Sequence, residues 1–104
     1  MPWIILLFAG LFEIVWATAM KYSDGFTRPA PTLLMVAAMG ASFWLLATAM
    51  RTLPLGTAYM VWTGIGALGS FVVGILFLAE PATAMRLLAA SLIVAGIVTM
   101  KLAS

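Results

Sequence analysis

The chain has 104 residues, of which 65% are hydrophobic and only 8% charged, and its mean hydropathy of +1.21 sets it apart from soluble domains with roughly 25% charged residues; it reads as one integral membrane domain. The net charge of +2 comes from five basic and three acidic residues scattered singly, with no basic stripe to hold nucleic acid. The absence of Cys and His removes disulfides, the usual zinc and haem sites, and thiol or imidazole catalysts, so neither an enzyme nor a metal or cofactor is expected.

About 18 apolar residues cross a hydrocarbon layer of roughly 30 Å at 1.5 Å per residue. Four segments qualify, at about 3–20, 32–50, 56–79 and 84–102. The connectors "KYSDGFTRPAP", "RTLPL" and "EPATAM" each hold charge and proline, as helix boundaries do. The predicted fold is all-α, a single domain of four transmembrane helices joined by short loops.

In the first segment, "ATA" at positions 17–19 resembles a signal-peptide cleavage site. No basic stretch precedes it, Glu13 interrupts the apolar run, and three more apolar segments follow, so the segment is read as retained. Glu13 stands about eleven residues from Pro2, roughly 16 Å along a helix and therefore near mid-membrane. A charge at that depth costs at least about 2.5–3.5 kcal/mol, which makes chance placement a poor account. It serves either as a transport or relay group or, protonated, as interhelical glue. Protonated it is neutral and tolerates the membrane; deprotonated it attracts a cation, so proton and cation would compete.

Helical spacing puts Leu6, Ala9, Gly10, Trp16, Ala17 and Met20 on the face of Glu13. Trp3 suits the interfacial aromatic belt, whereas Trp16 lies deeper, where its indole N–H can hold the carboxylate and its ring can face a cation. In the second segment Ser42 either bonds back to its own helix or reaches Glu13. The third brings Tyr59, Trp62, Thr63 and Gly66 to one face, with Tyr59 and Trp62 as cavity lining or as belt residues. Its glycines, Gly64 and Gly66 among them, provide a hinge or simply close packing. In the fourth, Ser91, Ala95 and Gly96 form a small-residue patch suited to helix pairing.

Arg51 and Lys101 fall on the side of the N-terminus and Lys21, Arg28 and Arg86 on the other. With the terminal amine counted, the faces nearly balance, so the positive-inside rule gives little orientation and copies of opposite topology are plausible. Four helices do not easily enclose a polar path, and no internal repeat is visible. An inverted second copy would supply the missing half, giving an antiparallel homodimer.

The residues "FEIVWA" with Trp16 three after Glu13, "KYSDGF", "LPLGTAYMVWTGIGA" at 53–67, and "EP" at Glu80 and Pro81 together make the whole chain resemble the small multidrug resistance family, and within it the guanidinium exporter branch. The resemblance implies an antiparallel, dual-topology homodimer in the bacterial inner membrane that exchanges protons for guanidinium or small guanidinyl cations by alternating access. It implies that Glu13 binds proton and substrate, that Ser42 and Trp16 organise it, and that Tyr59 and Trp62 complete the pocket. Gly64 and Gly66 would match a bent third helix, and Ser91, Ala95 and Gly96 a dimer contact. The alternatives are a broader exporter of quaternary ammonium or hydrophobic cations, favoured by "ASFWLL" in the second helix, and a non-transporting membrane assembly subunit.

Overall fold

The computed structural model describes residues 2–103. Within them are four helices, α1 (Pro2–Tyr22), α2 (Pro29–Ala49), α3 (Leu55–Phe77) and α4 (Ala84–Leu102), each long and apolar enough to cross a membrane. The first connector is shorter than the sequence suggested and the third longer. Pro29 and Pro31 sit inside the first turn of α2, where a helix has no use for the missing N–H, so α2 begins three residues earlier than expected. Helix α3 stops at Phe77, short of the expected 79, and Ala79 takes a left-handed φ of 56° that turns the chain out of the helix.

The first connector is a tight reversal built on Ser23, whose side chain is wholly buried. Its hydroxyl donates to the Met20 carbonyl at 2.7 Å and accepts the Phe26 N–H at 3.1 Å, while Thr27 Oγ1 donates to the Asp24 carbonyl at 2.8 Å. Asp24, Gly25 and Phe26 all have positive φ, of 50°, 68° and 70°. Glycine takes that region freely and aspartate tolerates it, so the local hydrogen bonds have chiefly Phe26 to hold in place.

Helix α1 is the hub, packed against both α2 and α3, whereas the backbone of α4 approaches only that of α3 and α4 has no buried residue. The Cα envelope is a slab of 41 × 35 × 16 Å. A Cα thickness of 16 Å corresponds to about two layers of helices packed at roughly 8–10 Å between axes. The main buried cluster lies toward one end of the slab: Leu6 and Ala9 from α1, Leu46 and Ala49 from α2, and Ala58, Val61 and Trp62 from α3. Glu13 stands one turn of α1 beyond it.

Candidate functional site

The site begins as a seam between α1 and α3 in which small and large residues alternate. A Cβ built on Gly10 of α1 would meet the branched side chain of Ile65, and one on Gly69 of α3 would meet Ile14. Between these two contacts, a Cβ on Gly66 would meet the Glu13 carboxylate. Gly66 therefore makes the room that the Glu13 side chain fills, and the helices approach closely because each glycine receives a neighbour's side chain. Gly64 does the same toward α4, where a Cβ would come within 2.7 Å of Ile97 Cδ1. Gly64 and Gly66, read from the sequence as a hinge or as close packing, both receive side chains of other helices within a continuous α3.

One oxygen of Glu13, Oε1, is buried with no hydrogen-bond partner among the described residues, and so is the indole nitrogen of Trp16 one turn away. An unpaired acceptor and an unpaired donor thus lie on one face of α1 without bonding each other. Each is costly to bury unsatisfied, and a proton, a cation with N–H groups or a partner chain would relieve the acceptor.

Ser42 takes neither partner read from the sequence. Its hydroxyl donates across to the Ala9 carbonyl of α1 at 2.7 Å and accepts the Trp62 indole N–H at 2.9 Å, with its side chain fully buried. In a regular helix the Ala9 carbonyl also receives the backbone N–H of residue 13. Ser42 therefore fixes the backbone that carries Glu13, and it joins α1, α2 and α3 through one hydroxyl.

Four rings run beside this link. Trp16 meets Phe43 edge-on at 6.3 Å between centroids, Phe43 meets Trp62 at 5.7 Å, and Trp62 meets Tyr59 at 5.5 Å. Such tilted and T-shaped contacts are favourable geometries. Trp62 is only 6% exposed whereas Tyr59 is 52% exposed, so Trp62 belongs to the interior and Tyr59 to the rim. Phe43 was absent from the candidates, yet it connects Trp16 to Trp62. A phenylalanine in an apolar helix carries no marker of its own, and Phe43 entered the sequence reading only as part of "ASFWLL" beside Ser42.

Tyr59 also borders an apolar groove of about 670 Å³ between α3 and α4, whose walls include Thr63, Gly64, Ala95, Gly96 and Ile97. Of the small-residue patch on α4, Ala95 and Gly96 face this groove. Ser91 does not line it, and its hydroxyl bonds back to Leu87 at 2.9 Å.

Fold and site together define a multi-pass membrane protein with a carboxylate held midway along its first helix against the glycine-lined face of its third. The description Small Multidrug Resistance protein matches residues 1–93, and the chain belongs to that family of small membrane transporters. It is 57% identical over 104 residues to the "Guanidinium exporter" of Citrobacter freundii, covering 100% of this chain and 99% of that one. It is 55% identical over 104 residues to the "Guanidinium exporter" of Yersinia pestis, covering 100% of both chains.

Proposed function

We propose that the protein is a proton-coupled antiporter that exports guanidinium and small guanidinyl cations across a bacterial inner membrane, working by alternating access as an antiparallel homodimer. The observation that carries this reading is the buried, unpaired Glu13 oxygen midway along α1, beside the unpaired indole of Trp16. An ionisable group at that depth is expensive and marks a pathway by default. Guanidinium is planar and permanently charged, and its fork of N–H donors meets a carboxylate with two parallel bonds. Full-length similarity to proteins named for guanidinium export supports the same substrate.

In this mechanism Glu13 holds either a proton or the cation. The Ser42 link to the Ala9 carbonyl and the Trp62 indole keeps the carboxylate's backbone in place while its occupant changes. The bulk of Trp16 narrows the site in favour of a small flat ion. The 16 Å slab is half of a binding cavity, and an inverted copy completes it with a second Glu13. If two protons enter as one monovalent cation leaves, one net charge moves inward per cycle, and 100 mV contributes about 2.3 kcal/mol. Each pH unit adds about 1.36 kcal/mol per proton.

Competition for one carboxylate has a direct readout. Guanidinium added to the purified protein in weakly buffered detergent solution is expected to release protons, and Glu13→Gln is expected to abolish that release. Binding without proton release would contradict the exchange.

A further inference from the structure

Away from Glu13, the connector between α3 and α4 carries the only ion pair among the described residues. Arg86 Nη2 lies 3.5 Å from Glu80 Oε1, and the Arg86 guanidinium carbon sits 5.2 Å from the centre of the Phe71 ring. The carboxylate is folded back onto α3, where the lack of a side chain at Gly74 admits it. It is held there by the turn at Ala79, with the Glu80 N–H donating to the Gly74 carbonyl at 3.0 Å. The backbone therefore sets a carboxylate and an aromatic face against one planar cation, which is a guanidinium receptor with the chain's own guanidinium in it.

The receptor opens into a cleft of about 340 Å³ whose walls include Ala17, Lys21, Ala67 and Ser70. Ala17 is one helical turn past Glu13 on the same face of α1, so the cleft extends from the α3–α4 connector to about one turn short of Glu13, which does not itself line it. Both partners of the ion pair are more than a third exposed, and pairs of that kind are weak and readily exchanged. Lys21 adds positive charge to the wall and opposes a cation, while Glu80 is the one carboxylate lining the cleft.

We propose that Glu80 and Phe71 form an outer binding site for a guanidinium-type cation, on its way to or from Glu13, and that the Arg86 side chain is a built-in competitor for it. The inference rests on the transport reading above. An arriving guanidinium displaces Arg86 from Glu80, and Arg86 returns when the ion moves on.

The test is the concentration dependence of guanidinium-evoked currents in liposomes holding the full-length protein. Glu80→Gln removes the receptor's charge and should raise the half-saturating concentration about two- to fivefold, the range for an exposed charge pair. Arg86→Gln removes the competitor and should lower it by a similar factor. Phe71→Leu, which leaves the ion pair in place, should raise it. These shifts should fall on half-saturation more than on maximal current. If the pair merely pins the connector, both charge variants break the same contact and move half-saturation in the same direction, which would overturn the proposal. An effect of Arg86→Gln alone that grows with the anionic lipid content of the vesicles would overturn it in favour of a lipid phosphate site. Wild-type protein carrying guanidinium current with unmoved variants defeats the outer site alone, whereas wild-type protein without any such current defeats the transport reading and the outer site with it.

Discussion

Ser42 shows how much can hang on one hydroxyl. It satisfies the Trp62 indole and shares the Ala9 carbonyl, so Ser42→Ala leaves a buried donor without a partner. A loss of about 1–2 kcal/mol is expected, measurable as earlier unfolding in a denaturing-detergent titration, and Trp62→Phe in the same background should recover part of it because the orphaned N–H is gone. Glu13 was legible in the sequence because a carboxylate in an apolar run is costly enough to need a reason. Helical spacing singled out Trp16 and Trp62, but the Trp16 indole N–H does not hold the Glu13 carboxylate as the sequence suggested, because neighbours on one helix face need not point at each other. The partners of Ser42 were not legible, since a serine in a helix has several possible acceptors and the choice depends on how three helices meet. The Glu80, Arg86 and Phe71 cluster was equally hidden, because its geometry comes from the left-handed turn at Ala79 and from the space at Gly74, neither of which follows any helical period.

At the scale of the helices, the seam between α1 and α3 separates two kinds of glycine. Gly10 faces the β-branched Ile65, with a would-be Cβ 2.7 Å from Ile65 Cβ, an atom fixed close to the backbone. Gly66 faces the end of the flexible Glu13 side chain, which can swing aside. Each Gly→Ala change gains up to about 1 kcal/mol of helix propensity, so steric cost decides the sign. Gly10→Ala is expected to force α1 and α3 apart and lower thermal stability in detergent. Gly66→Ala should leave the melting temperature nearly unchanged and weaken guanidinium binding by displacing the carboxylate. Equal losses of stability in both variants would contradict this division. The glycine-rich character of α3 was visible in the sequence, but which glycine receives which side chain depends on helix register, which composition does not encode. Proline misled the reading of helix ends for a simple reason: in the first turn of α2 it starts a helix instead of interrupting one.

The molecule as a whole is a slab with its main core toward one end, a carboxylate at the inner edge of that core, and a fourth helix none of whose residues is buried. Its four helices and their order were readable from hydropathy alone, because long apolar runs separated by charge and proline leave few alternatives. How they are arranged was not, since an apolar helix gives little sign of which face meets protein and which meets lipid. The near-balanced Lys and Arg distribution leads to the prediction that copies insert in both directions. The chain has no cysteine, so Ala103→Cys reports its own side of the membrane: an impermeant maleimide applied to intact cells should label about half the population, and near-complete or absent labelling would contradict dual insertion. The central claim is that Glu13 exchanges protons for guanidinium, and it is tested most directly by liposomes holding the purified protein under an imposed pH gradient with guanidinium on both sides. The account predicts guanidinium movement against the proton flow, reversing when the gradient is reversed and abolished by Glu13→Gln. Guanidinium movement indifferent to the gradient, or currents evoked by bulky aromatic cations but not by guanidinium, would contradict it.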